Sequence, residues 1–328
     1  MKRPVVYFAG TGRGLPATVV TNHDFASIGI ETTDEWIVER TGIKQRYIAR
    51  TESTTDLAAM AARRAMESAG VQAGELDLIV LGTASADRLL PSAAVDLQAA
   101  LGASRAAAFD VGAACSGFIY ASTVAEGMIA MGNADTALVV GVEKLSGIID
   151  WTDRSTCVLF GDGAGAAVLK RSKQGRGIIS SFIRSDGTLA DLLCRPSGGT
   201  ARPFSAEVLE ERSQYVKMNG REVFKNAVRS MSEASTRALD AAKLTGADID
   251  LMIPHQANVR IIEATAKHAN ISMDKVYVNV DRFGNTSAAS VPIALDEAIE
   301  NGVVGEGSTV LLVAFGAGFT WGSMVVRL

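Results

Sequence analysis

The chain has little from which to build a metal or disulfide centre. Among its 328 residues are three cysteines, Cys115, Cys157 and Cys194, and three histidines, His23, His255 and His268. No CxxC pair occurs, the cysteine count is odd and the histidines lack ligand spacing, so neither a disulfide framework nor a metal site is expected. A reducing, cytoplasmic setting is the simplest expectation. Aromatics make up only 6% of the chain and the net charge is −4, which leaves no basic stripe with interleaved aromatics for nucleic acid. No uninterrupted apolar run approaches the roughly eighteen residues of a membrane span. Near the start, the apolar residues 5–9 are broken by Gly10 and Arg13, too short for a secretory signal. Prolines are few, 7 against 32 glycines, and 48% apolar with 21% charged residues describe a soluble globular chain rather than a disordered one.

What the sequence does have is alternation. Apolar runs bounded by Gly, Asp or Asn predict strands at residues 5–9, 76–81, 106–111, 136–142, 156–170, 249–253, 276–280, 309–314 and 323–326. Helical spacing predicts helices over 55–69, with Thr54, Thr55 and Asp56 as caps and Gly70 as the stop, and over 222–243. Strands alternating with helices imply an α/β fold with largely parallel sheets covered on both faces. Residues 75–84 resemble 248–257, and residues 134–142 resemble 307–315, in the same order. This suggests a duplicated unit dividing near 170–177, with halves 1–172 and 173–328, about one domain-sized unit each.

Three segments carry candidate chemistry. Cys115 lies in Ala108-Phe-Asp-Val-Gly-Ala-Ala-Cys-Ser-Gly-Phe118, where a strand runs into a small-residue turn and then a helix. A thiol at a helix N-terminus favours the thiolate; a small residue filling a strand–helix junction is the competing reading, and the residues alone leave both open. His255 follows Pro254, which takes the chain out of a sheet, and Asn285 lies in the Gly-Asn-Thr-Ser turn before a helix near Val291-Pro292. Each is also compatible with a purely structural role. In Ala314-Phe-Gly-Ala-Gly-Phe-Thr-Trp-Gly-Ser323, a tight bend brings backbone N–H groups close to a neighbour or to a substrate oxygen. The run Gly161-Asp-Gly-Ala-Gly165 is not GxGxxG and reads as a hairpin bend; Cys157 and Cys194 read as packing residues.

Val111-Gly-Ala-Ala-Cys-Ser-Gly-Phe118, Pro254-His-Gln-Ala-Asn-Val-Arg-Ile261, Gly284-Asn-Thr-Ser-Ala-Ala-Ser-Val-Pro292 and Phe315-Gly-Ala-Gly-Phe-Thr-Trp-Gly-Ser323 together resemble β-ketoacyl-acyl-carrier-protein synthase III, the initiating condensing enzymes of bacterial fatty acid synthesis. Thr32-Thr-Asp-Glu-Trp-Ile-Val-Glu-Arg-Thr-Gly-Ile43 and Phe160-Gly-Asp-Gly-Ala-Gly-Ala166 extend the resemblance over the whole chain. It implies a thiolase-like fold, two α/β halves in an αβαβα layering. It further implies Cys115 as acyl-accepting nucleophile, His255 and Asn285 as donors to an enolate oxygen, the N–H groups of Cys115 and Ala317 as an oxyanion site, and Phe315 as the wall beside the thiol.

The same resemblance assigns binding roles. Trp36 and Arg154 match a clamp on the adenine of coenzyme A, and Thr32, Arg40 and Asn258 match contacts along the nucleotide and pantetheine. Lys225, Arg260 and Lys267 match basic positions that receive the acyl carrier protein. Leu90 matches the end of the acyl pocket, in a segment reaching a neighbouring subunit of a homodimer, where relatives often carry phenylalanine; the smaller side chain admits a longer or branched primer. Arg221 stands where some relatives have asparagine. Acyl-CoA and malonyl carrier protein are the implied substrates, acetyl-CoA the expected primer, with no metal or resident cofactor. A starter-unit or specialised-metabolite enzyme of the same kind is the alternative, and a noncatalytic acyl-binding scaffold a remote one. Degradative thiolases need a second cysteine near the C-terminus, and none follows Cys194.

Overall fold

The computed structural model describes residues 5–172 and 176–328. The division expected between residues 172 and 173 falls at 173–175, outside the described residues. Two sheets organise the chain, and they repeat one another. The first runs Val5–Gly14, Gly163–Ser172, Thr136–Glu143, Leu78–Gly82, Ala107–Val111; its first two junctions are antiparallel and its last two parallel. The second runs Gly177–Ser185, Thr320–Arg327, Thr309–Gly316, Leu251–Pro254, with antiparallel, antiparallel and parallel junctions in the same sequence. A parallel bridge from Met252 to Val276 stands where the fifth strand would be. The pairs of similar segments noticed in the sequence are the Leu78–Gly82 and Leu251–Pro254 strands, and the Thr136–Glu143 and Thr309–Gly316 strands.

Side-chain alternation explains the layers. Leu78 and Val80 point into a central core with Phe118, Ile119 and Leu295, while Ile79 and Leu81 point the other way, into a core with Leu57 and Leu97. Strands buried on both faces need helices on both faces. Gly117–Met131 and Ser290–Glu300 fill the space between the sheets, Thr54–Ala69 and Ala93–Leu101 cover the first sheet, and Gly220–Ala242 and Val259–His268 cover the second. The result is the expected αβαβα arrangement. Residues Ala114–Met131 are long and apolar enough to cross a membrane by composition. The expectation that no such stretch exists is corrected, and the reason for its apolarity is its place in the central layer.

Other expectations shift. Ser53, not Thr54 or Thr55, caps the Thr54–Ala69 helix, in a capping box with Asp56. The strand predicted over 156–170 begins only at Gly163, because Asp153 accepts from the Ser155 N–H at 2.9 Å and starts a helical turn, Arg154–Cys157. The strand predicted over 276–280 reduces to the one bridge, since the Gln256 amide oxygen takes the Asn279 and Val280 N–H groups that a ladder would use. The glycine run at 161–165 is no hairpin bend. Asp162 is buried and accepts from the N–H groups of Ala49 and Ser146, and Gly163 and Gly165 belong to a strand. A Cβ at Gly165 would lie 2.6 Å from the Ile293 nitrogen of the central helix.

Candidate active site

Beyond the Ala107–Val111 strand the chain tightens, with Ala114 at a left-handed φ of 44°, and one helical turn, Ala114–Ser116, delivers Cys115 to the start of the Gly117–Met131 helix. Two hydroxyls tie this turn to the second sheet. Ser116 Oγ donates to the Thr320 carbonyl at 3.1 Å, and Thr320 Oγ1 donates to the Ala113 carbonyl at 2.8 Å. The strand end at Gly316 comes so near that an added Cβ would lie 2.6 Å from the Cys115 nitrogen. Glycine is therefore required there for the two halves to meet at the thiol.

His255 leaves the Leu251–Pro254 strand as expected, with its N–H on the Val313 carbonyl at 2.8 Å and its Nδ1 2.6 Å from Ser290 Oγ. Burial pushes its imidazole down to about 4, so the ring is neutral near pH 7. A Ser290 hydroxyl donating to Nδ1 leaves the ring proton on Nε2. Asn285 accepts the Ser287 N–H on its Oδ1 at 2.9 Å, which fixes the amide orientation and leaves its amino group as the remaining donor.

Cys115, His255, Asn285 and Phe315 line one cleft, whose more exposed end carries Phe224 and Asn258. A second, small apolar cavity also reaches Cys115, along with Leu145, Ile148, Ile149, Val216, Ser287 and Ala317. Of these, the sequence reading named Ala317 and missed the apolar Leu145, Ile148, Ile149 and Val216, which come from separate loops. It also missed Glu143, buried at the end of its strand, which accepts from Ser85 Oγ at 2.5 Å, Ala84 N–H at 3.1 Å and Ser287 Oγ at 3.0 Å. Its carboxyl is pushed up to about 7 by burial, against those hydrogen bonds.

Of the two effects acting on the thiol, burial opposes the helix N-terminus. Burial pushes the Cys115 thiol up to about 12, opposed by a hydrogen bond with the Ser287 hydroxyl and reinforced by the charge of Glu143. A helix N-terminus supplies at most about 2 kcal/mol, roughly 1.5 pK units, whereas full burial moves a group by about 3 to 5. Desolvation wins, and the resting group is the thiol.

The binding residues fall into two clusters and one outlier. The guanidinium groups of Arg40 and Arg154 both stack on the Trp36 ring, 4.6 and 4.7 Å from its centroid. Arg154 is held by the Glu31 carbonyl at 2.7 Å, next to Thr32, whose Oγ1 is buried without a hydrogen-bond partner. Asn258 caps the Val259–His268 helix and donates to the Arg40 carbonyl at 2.7 Å, so this group adjoins the cleft's exposed end. Lys225, Arg260 and Lys267 are exposed on the two helices covering the second sheet, and Arg221 is exposed in the first turn of the longer one. Leu90 is 85% exposed and lines neither of these cavities, so it does not close the end of an acyl pocket within this chain. Asp87 holds that loop against the N-terminus of the Thr54–Ala69 helix through the Thr54 and Thr55 N–H groups, at 2.7 and 3.0 Å.

The sequence pattern described as 3-oxoacyl-[acyl-carrier-protein (ACP)] synthase III matches residues 109–187, and that of its C-terminal part matches residues 239–328. A β-ketoacyl-[acyl-carrier-protein] synthase III of Symbiobacterium thermophilum is 50% identical over 328 residues, covering 100% of this chain and 99% of that protein. This chain belongs to the β-ketoacyl-[acyl-carrier-protein] synthase III family. The solved synthase III of Aquifex aeolicus superposes with a TM-score of 0.92 at 46% identity, covering 98% of this chain and 100% of that one. The priming β-ketosynthase of the R1128 polyketide pathway has the same TM-score, 0.92, at 36% identity, covering 99% of this chain and 97% of that one. Shape alone thus does not separate synthase III from a specialised priming enzyme, whereas full-length identity near 50% to proteins named synthase III favours the former. As a synthase III, the protein is an acyltransferase with the thiolase fold.

Proposed function

We propose that this synthase III starts fatty acid synthesis by condensing an acyl-CoA primer, acetyl-CoA foremost, with malonyl carrier protein through an acyl-Cys115 intermediate. The observation that carries this reading is the convergence of one thiol and two neutral donors, His255 and Asn285, on a single cleft. Halves 1–172 and 173–328 would supply them, the thiol from the first and the donors from the second. Cys115 sulfur attacks the primer carbonyl, and the bond to coenzyme A sulfur breaks. The developing oxyanion would meet the N–H groups of Cys115 and Ala317. Malonyl carrier protein then loses carbon dioxide, and the electron pair left behind enters an enolate whose oxygen accepts from His255 Nε2–H and the Asn285 amino group. Phe315, an apolar ring beside the reacting carbons, gives a carboxylate no solvation and so favours its release. The carbanion attacks acyl-Cys115 and expels the sulfur. Decarboxylation drives the sequence, so the reading invokes no metal or redox cofactor.

The apolar cavity beside Cys115 suits the primer's acyl chain. Trp36 and Arg154 suit the adenine, with Thr32, Arg40 and Asn258 along the rest of the cofactor arm. A purine between ring and guanidinium needs about 7 Å, two contacts of ~3.5 Å, so Arg154 must swing out from its 4.7 Å position. Trp36→Ala is therefore expected to raise KM for acyl-CoA about tenfold while leaving kcat within about twofold, the mark of lost ground-state binding measured by steady-state kinetics. Lys225, Arg260 and Lys267 would steer an acidic carrier protein to the cleft. The Ala107–Val111 strand is the open edge of its sheet, carrying partly exposed Phe109 and Val111, and Leu89 and Leu90 nearby are 83% and 85% exposed. An apolar open edge of this kind is normally covered, which supports a homodimer in which Leu90 reaches the partner's acyl pocket. A soluble, cytoplasmic enzyme is the matching setting.

The reading is tested by incubating the protein with malonyl carrier protein and, in turn, acetyl-, branched short-chain and longer acyl-CoA. A ketoacyl carrier protein is expected, detected by its mass, with acetyl-CoA among the productive primers. No product from any primer would overturn the proposal.

A further inference from the structure

The buried thiol needs somewhere to leave its proton, and one group beside it has no other assigned task. Ser287 Oγ donates to Glu143 Oε1 at 3.0 Å, and Ser287 lines the same apolar cavity as Cys115. Ser287 stands at a left-handed φ of 48°, held by its N–H on Asn285 Oδ1 at 2.9 Å, so its side chain is fixed between thiol and carboxyl. Glu143 is fully buried, and its partners are hydroxyls and a backbone amide: Thr83 Oγ1 at 3.3 Å, Ser85 Oγ at 2.5 Å and the Ala84 N–H at 3.1 Å. His255 is engaged otherwise, its Nδ1 on Ser290 and its side chain among those lining the cleft.

We propose that Ser287 and Glu143 form a proton relay that takes the proton from Cys115 during acyl transfer and returns it during condensation. This rests on Cys115 being the acyl acceptor. In the resting state the thiol S–H donates to Ser287 Oγ, and the Ser287 O–H donates to Glu143. As sulfur bonds to the primer carbonyl, its proton passes to Ser287 Oγ and the serine proton passes to Glu143, leaving a neutral carboxylic acid. The bond to coenzyme A sulfur breaks, and that thiolate takes a proton from solvent as it leaves. In the second half-reaction the carbanion attacks acyl-Cys115 and the carbon–sulfur bond breaks. The Glu143 proton then travels back through Ser287 to the departing Cys115 sulfur, so the net proton consumed is the one on coenzyme A. A carboxyl pushed up to about 7 is matched to both tasks, since it is neither held ionised nor held protonated near neutral pH. Glu143 and Ser287 are thus positioning and proton-carrying residues for the thiol, with no part in holding the enolate.

The test separates the half-reactions in the full-length protein. Ser287→Ala and Glu143→Gln are each expected to slow acetyl transfer from acetyl-CoA to Cys115 by about 10²-fold in rapid-quench mass spectrometry, the usual scale for a lost proton acceptor. Decarboxylation of malonyl carrier protein, which requires no thiol ionisation, should stay within about threefold of the parent in both. Glu143→Asp, which keeps a carboxyl, should recover part of the loss. Alkylation of Cys115 by iodoacetamide supplies a readout free of substrate binding and should slow in both variants. Acyl transfer unchanged in both variants overturns the relay, and so does a parallel fall of both half-reactions, which marks a packing role. Because the comparison is made against a parent acylated at Cys115, a failure of the relay is distinct from a failure of the condensing reading. Ser287→Ala removes a single oxygen and carries the test should Glu143→Gln not fold.

Discussion

Cys115→Ala is expected to accept no acyl group from any acyl-CoA, while the parent protein gains one acyl mass on Cys115 alone. Loss of the attacking atom in covalent catalysis costs about 10⁴ to 10⁶ in turnover, more than any other single change here. The other two thiols serve as internal controls. Cys157 is fully buried and pushed up to about 11 by burial, and Cys194 lies in a two-residue strand with its Sγ 3.8 Å from the Asp191 carbonyl. Neither adjoins a pair of donors, so peptide mapping that found the acyl group on either of them would sink the assignment. Alanine removes only one sulfur from a tightly held turn, and a stability change of about 1 kcal/mol is the ordinary scale for such a step. The variant should fold, and should still decarboxylate malonyl carrier protein, because His255 and Asn285 keep their partners on Ser290 and Ser287.

What the sequence made legible was local. The small-residue junction at Cys115, the proline before His255 and the Gly-Asn turn at residue 285 each announce a chain leaving a regular element. The duplicated order of two strand pairs announced the repeated sheet. What it hid was tertiary. Cys157, Val158, Leu159 and Phe160 read as a strand because they are apolar, yet periodicity cannot tell a short buried strand from a buried helical turn. Leu145, Ile149 and Val216 meet only because separate loops close over Cys115. Glu143 looks like the polar end of an apolar strand, and its burial with Ser287 is a property of the fold. The state of the thiol stayed open for the same reason: a helix N-terminus is visible in sequence, whereas the burial that outweighs it is not.

Asn285→Ala carries the second large effect. It should still be acylated on Cys115, slowed only through the loosened Ser287, yet lose condensation by a further factor of about 10² to 10³, the scale for removing one donor from a developing oxyanion. The truncation also strips the acceptor from the Ser287 N–H, and a buried amide without a partner costs about 1 to 3 kcal/mol, so a second variant is needed. Asn285→Asp keeps an oxygen for Ser287 while replacing the donor with an acceptor. If the donor role is right, Asn285→Asp loses condensation at least as severely as Asn285→Ala; if Asn285 only holds the loop, Asn285→Asp retains it. His255 is held neutral by burial down to about 4, so its donor state does not change across the neutral range, and the deficit of either variant should be nearly the same at pH 6.5 and pH 8. Malonyl decarboxylation at the parent rate in Asn285→Ala would remove this residue from the enolate site and leave His255 as its sole side-chain donor.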